Sequence, residues 1–301
     1  LDFGLEAHIN YNDLKLAWFD RQLKGLESEV VDWSPVRIFT MGGGEGTPDG
    51  NHRLRHGGYW RNEPDWPLPS TIPTPYYLRN NGRLSVDKSN DQNNLTTSFV
   101  FDPSYPVPTI GGGISAGNPI MEPGAYDQRG DPDRFFGTED TLPLNVRDDV
   151  VTFQTQPLEA DTEATGPIEV HLWASSSAVD TDFTAKLIDV YPPSGEFPEG
   201  LAINIADSII RARYRNGFEK AEFLNPGETY EFVFQLYPTS NVFAKGHRIR
   251  VDISSSNWPR FDVNHNTGEP LGIDRTYETA RQTIHHSADC PSHIVLPIQP
   301  A

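Results

Sequence analysis

Ile168-Glu169-Val170-His171-Leu172-Trp173-Ala174 is the stretch that decides the fold. Ile168, Val170, Leu172 and Ala174 fall on one side of an extended chain, and Glu169 and His171 on the other. Successive side chains of a strand point to opposite faces, so this segment reads as a strand with one apolar face. The same period recurs in Tyr230, Phe232, Phe234 and Leu236 against Glu231 and Gln235. It recurs again in Ile249, Val251 and Ile253 against Arg248, Arg250 and Asp252. Val150 to Thr155, Phe183 to Val190 and His293 to Ile298 add further strands, and turns such as Asn225-Pro226-Gly227 and Lys245-Gly246 separate them. The 26 prolines and 25 glycines are spread along the chain, as many short strands joined by turns require. Alternation with one solvated face marks antiparallel sheets. Strand after strand with no helix between them predicts a mainly β protein, a sandwich or jelly roll.

Only the beginning departs from this pattern. Asn12 to Lys24 reads as a helix, with Asn10 or Asn12 as its cap and Gly25 as its stop. Leu14, Trp18, Phe19 and Leu23 give it a broad apolar face that calls for a partner surface. Val36-Arg37-Ile38-Phe39 starts a strand, and a Gly/His/Arg-rich insertion runs from Gly42 to Gly58. Trp66-Pro67-Leu68-Pro69 and the prolines at 73 and 75 read as an extended connection, because proline cannot donate to a sheet ladder. A domain boundary is expected near Pro69.

Composition narrows the function. The chain has 301 residues, 36% hydrophobic and 22% charged, and its 42 acidic against 24 basic residues give a net charge of −18. That field repels phosphate backbones and anionic lipid, so neither nucleic acid nor a membrane is expected as a partner. Cys290 is the single cysteine, which excludes an internal disulfide and a thiolate metal cage. Leu1 stands where a methionine would open a primary translation product, which points to a processed product or a fragment. A signal peptide already removed would leave no trace, so cytoplasmic and secreted locations both stay open.

No complete catalytic set is legible. Gly113-Ile114-Ser115-Ala116-Gly117 matches the G-x-S-x-G nucleophile pattern, but that motif works on a strand-to-helix turn. Here glycines precede it and Asn118-Pro119 follows, so the match reads as a chance one in a glycine-rich loop. His52 and His56 are four apart but sit among glycines, and His285-His286 would face opposite ways on a strand. His8 lacks an orienting acid nearby. Asp180-Thr181-Asp182 and Asp131-Pro132-Asp133 lack the full calcium-loop spacing and read as turn caps. Gly42-Gly43-Gly44 lacks the lysine of a phosphate loop. Asn94-Leu95-Thr96 is a glycosylation triplet. No metal site and no catalytic residue is assigned from these patterns.

Several runs together resemble the C-terminal region of the CocE/NonD serine hydrolases, the family of cocaine esterase, α-amino-acid ester hydrolases, glutaryl acylases and X-Pro dipeptidyl-peptidase relatives. They include Trp18 to Gly25, Val36 to Met41, Asp65 to Pro69, Asp127-Gln128-Arg129, Gly166 to Pro192, Ile209 to Arg215, Thr239 to Phe243, Gly246 to Ile249, Ser254 to Pro259 and Pro291 to Pro297. They occur in the family's order over nearly the whole chain. The resemblance implies a parent with an α/β-hydrolase domain, a helical cap and a C-terminal jelly roll. Residues 1–69 would be the tail of the hydrolase domain and residues 70–301 the jelly roll. The nucleophilic serine, its histidine and its acid would lie in the hydrolase domain, so the helix's apolar face would await that domain's sheet. Gly113, Ile114, Ser115 and Ala116 would form a loop shaping the substrate pocket, with Ile114 and Ala116 near a small ester or amide substrate. The chemistry would be acyl transfer with no metal or organic cofactor. Two rival readings remain: a free-standing carbohydrate-binding sandwich using Trp60, Trp66, Trp173 and Trp258, and an independent hydrolase pairing Ser115 with a histidine such as His8.

Overall fold

A computed structural model describes residues 1–88, 90, 95–117 and 120–300. Among the described residues one α-helix, α1 (Tyr11–Lys24), precedes thirteen strands. These are β1 (Val36–Gly42), β2 (Gly58–Glu63), β3 (Ile72–Leu78), β4 (Leu84–Ser85), β5 (Thr96–Phe101), β6 (Val151–Gln154), β7 (Thr162–Ser176), β8 (Asp182–Tyr191), β9 (Leu201–Arg211), β10 (Tyr230–Phe243), β11 (Arg248–Ser254), β12 (Ala280–His285) and β13 (His293–Ile298). They form a sandwich of a nine-stranded sheet and a four-stranded sheet, as the alternation predicts.

β7, the strand read first, is the spine of the large sheet. One edge pairs with β10 along its length, and the other is shared by β13 and β12. The order runs β2-β1-β10-β7-β13-β3-β4, and β12 also carries β5. The small sheet runs β6-β11-β8-β9. Ile168, Val170 and Leu172 of β7 and Phe232 and Leu236 of β10 face Phe183 and Leu187 of β8 and Ile249 and Val251 of β11 across one continuous core. The Phe183 and Phe232 rings meet at 4.9 Å between centroids.

Two expectations are corrected. The Pro73–Pro75 stretch is a strand rather than a connection. In β3, Pro73 lies opposite Pro297 and Pro75 opposite Val295 of β13. The period of two puts both missing N–H groups on the same edge. That edge is the one away from β13, where β4 pairs only at Tyr77 and Leu78. Second, the polar face of the small sheet is buried instead of solvated. Arg250, Asp252, Lys186 and Asp207 are all buried. The long segment between β5 and β6 folds over this face around its own small cluster of Val107, Ile110, Phe135, Leu144 and Val150. The charges are therefore satisfied inside the protein. Arg250 donates to both Asp252 oxygens at 2.7 and 2.6 Å, and Lys186 Nζ donates to Gln128 Oε1 at 3.1 Å. Burial lowers the Lys186 pKa.

The helix follows its caps. Asn10 Oδ1 accepts from the Asn12 and Asp13 amides at 3.2 and 3.4 Å, and Gly25 ends the helix in the left-handed region at φ 66°. None of its residues is buried, and Trp18, Phe19 and Leu23 are exposed. Asn10→Ala should weaken this helix by about 1 kcal/mol. The expected result is faster amide exchange at Asn12 and Asp13 with the sandwich amides unchanged.

Candidate functional site

β1 and β10 run parallel but pair only at Met41–Asn241 and Gly42–Val242. The junction needs glycine at 42, where φ is +88° and a Cβ would sit 2.3 Å from the Val242 carbonyl oxygen. Away from it the two strands splay, and the splay opens a cleft of about 730 Å³. Phe39 and Trp60 form one wall, edge to face at 5.2 Å, and Trp66 and Tyr237 also line it. Asp207 of β9 supplies a carboxylate to the lining. It is held by the buried Arg260 guanidinium and by Asn257 Nδ2 at 2.8 Å. Gly112 lets the loop pass over this pair, since a Cβ there would lie 2.9 Å from Arg260 Nη1.

His56 closes the back of the cleft. Its Nε2–H donates to Asn241 Oδ1 at 2.9 Å, so Nδ1 accepts the Tyr191 hydroxyl proton at 2.6 Å. Burial lowers its pKa, and the ring is held neutral. The bond set ties the Gly42–Gly58 insertion to β8 and β10. His52 is exposed in a turn with φ 60°, so the two histidines do not pair.

The other sequence candidates are dispersed. Of the glycine loop, Gly112 and Gly113 line the cleft, while Ile114 is exposed. The Ser115 hydroxyl accepts from the Gly117 amide at 3.1 Å and donates to the Met121 carbonyl at 3.4 Å. Asn94 and the Asn118-Pro119 pair lie outside the described residues. Asp131 caps its turn as expected, accepting from the Asp133 amide at 3.1 Å. Asp180 and Asp182 do not act as turn caps. They are buried and bind Arg213 and Arg211, and Asn264 Nδ2 reaches both at 2.8 Å. Trp173 lies on β7 and Trp258 packs tilted against Phe136 at 4.9 Å between centroids, so only Trp60 and Trp66 of the four share the cleft. Among the described residues no cluster of three metal-ligating side chains exists. Among the described residues Ser175 and Thr229 pair with His285 and Thr97 with His286, while His171 pairs with Glu169 and Glu231 and His247 with Asp189. Sequence reasoning missed Asp207 and Arg260, because the partners that give each its meaning lie fifty or more positions away.

The class these observations define is a two-sheet jelly roll with an aromatic cleft where β1 and β10 splay apart. The chain belongs to the family of the X-Pro dipeptidyl-peptidase C-terminal non-catalytic domain, whose model matches residues 29–295. It is 40% identical to cocaine esterase from Rhodococcus sp. (strain MB1 Bresler) over 310 residues, covering 98% of this chain and 48% of the esterase. Among solved structures, an aminopeptidase from the marine sediment archaeon Thaumarchaeota archaeon superposes with a TM-score of 0.75 at 26% identity, covering 96% of this chain and 44% of that one. An α-amino acid ester hydrolase superposes with a TM-score of 0.70 at 28% identity, covering 94% and 44%. The likeness to CocE/NonD hydrolases read from the sequence is borne out. The chain spans about half the length of the relatives it matches.

Proposed function

We propose that this chain is the C-terminal portion of a serine hydrolase acting on ester or amide bonds, and that it shapes the substrate pocket without supplying the nucleophile. The observation that carries this reading is the aromatic cleft between β1 and β10, set in a chain whose one G-x-S-x-G serine is spent on a turn. Residues 1–69 serve as the arm that joins the jelly roll of residues 70–301 to an α/β-hydrolase domain. The exposed face of α1 packs on that domain. Gly113 to Ala116 border the substrate, with Ile114 and Ala116 turned toward its acyl or leaving group. The reacting serine, base and oxyanion donors come from the hydrolase domain.

The test is direct. The chain alone, mixed with an activated ester such as p-nitrophenyl acetate, is expected to show neither a burst nor turnover above buffer. In the complete hydrolase, Ser115→Ala is expected to keep kcat within about twofold, because a turn serine contributes nothing to the barrier. Turnover by the chain alone that Ser115→Ala abolishes would overturn the reading.

A further inference from the structure

β9 has one partner, β8, on one side only. At its start the other side is occupied: the Gln128 amide donates to the Ala202 carbonyl at 2.8 Å and the Asn204 amide to the Tyr126 carbonyl at 3.1 Å. Beyond the irregularity opposite Leu187/Ile188, no main-chain hydrogen bond reaches the outer side of β9 among the described residues. The Ala212 amide returns to Thr181 on the β8 side at 2.9 Å. Antiparallel alternation then turns the main-chain groups of Ser208 and Ile210 toward β8 and those of Asp207, Ile209 and Arg211 outward. β10 has an open edge too, because β1 leaves it at Asn241. Between these two edges lies a trough of about 610 Å³, lined by Ser208–Arg211 of β9 and Val233–Gln235 of β10. Phe218, 88% exposed, and Val233, 43% exposed, give it apolar surface, with Arg211, Arg215 and Asp262 beside them. The trough lies next to the cleft along the same two strands, since the cleft is lined by Asn204–Asp207 of β9 and Tyr237–Ser240 of β10.

We propose that this trough is a subsite for an extended peptide, which adds as a strand to the open edge of β9 and leads into the cleft, so that the parent hydrolase takes peptidyl substrates longer than the bond it cleaves. The inference rests on the reading of the cleft as a wall of the substrate pocket. Unpaired main-chain donors and acceptors in a row are complementary to another extended chain and to no compact ligand. The open run from Ile205 to Arg211 spans on the order of 20 Å of extended chain. Side chains at alternate positions of the bound peptide would lie against Val233, Phe218 and Tyr237. The occupant is the substrate rather than a neighbouring protein, because successive residues of β9 and of β10 line first the cleft and then the trough, so a strand laid along β9 runs toward the cleft.

The experiment uses the complete hydrolase and a blocked heptapeptide of alternating valine and threonine. At saturation the amides of Asp207, Ile209 and Arg211 should exchange at least tenfold more slowly, with Ser208 and Ile210 unchanged. Ile209→Pro deletes one outward donor and leaves the β8 ladder intact, and it should weaken the peptide at least tenfold. In the same enzyme, lengthening a peptidyl substrate should raise kcat/KM, and the ratio of long to short substrate should fall in Ile209→Pro. Edge amides that are already protected without peptide, or that ignore it, overturn the inference. Turnover of a small activated ester is measured alongside. Its absence sinks the reading of the cleft, whereas its presence with unresponsive edge amides sinks this inference alone.

Discussion

Asp180→Ala is expected to cost about 3–5 kcal/mol of folding stability, the range for removing one partner of a buried ion pair. Asp180 is completely buried, and its two oxygens accept from the Arg213 amide, Arg213 Nε and Asn264 Nδ2 at 2.9, 2.8 and 2.8 Å. Arg213 Nη2 is already committed to the Glu269 carbonyl at 3.0 Å, and the guanidinium lies over the Phe223 ring at 4.9 Å. Removing the carboxylate leaves a guanidinium that is 6% exposed with the Glu269 carbonyl as its remaining hydrogen-bond acceptor. Asn264 also bridges to Asp182, which Arg211 grips through Nε and Nη2 at 2.9 Å each, so the loss spreads to the second pair. Urea unfolding followed by tryptophan fluorescence measures the change. Asp180→Ala/Arg213→Met should recover more than half of it, because most of the cost is the unpaired charge rather than the bond. A single variant within 1 kcal/mol of the parent would show that the pair is not closed to water.

Acid should destabilise the fold between pH 6.5 and 4, and His286 should carry about 3 kcal/mol of that loss. Burial lowers its pKa from the ordinary 6.5 to about 4. The ring packs edge-on to Phe153 at 5.5 Å, and its Nε2 shares a hydrogen bond with Thr97 Oγ1 at 2.9 Å. The sign follows from proton uptake. The unfolded histidine binds a proton as the pH drops through 6.5, while the folded one refuses it until about 4. The contribution is complete above 6.5 and disappears as the pH falls toward 4, at about 1.4 kcal/mol per unit of difference. Carboxylates titrate in the same window, so the comparison is between proteins. His286→Gln should lose roughly 3 kcal/mol less than the parent between pH 7 and pH 4. Parallel pH profiles for the two would refute the assignment.

What could be read from the chain alone follows the range of the interactions involved. The helix and its two caps are local, and the sequence locates them to within a residue. β7, β10 and β11 declare themselves because one face of each meets the core. Arg250 and Asp252 misled, since alternation reports that one face is polar and cannot report that a distant loop will cover it. Pro73 and Pro75 misled for a related reason: proline forbids a donor, not a strand, and which edge is open is decided by β13. The cleft was beyond reach, because Phe39, Asp207 and Tyr237 come from three strands that no motif connects.

The closing of the large sheet sets a clock on biosynthesis. β3 finds its long partner only in β13, and the neighbouring Ser70–Gln299 hydrogen bond joins positions 229 apart. At ribosomal speeds of about 5–20 residues per second, β3 waits roughly ten to fifty seconds for its mate. Throughout that interval β3 has only the two-residue β4 pairing at Tyr77 and Leu78 to hold it. Slowing translation across the middle of the gene should therefore lower the yield of folded protein, and a holding chaperone should restore it.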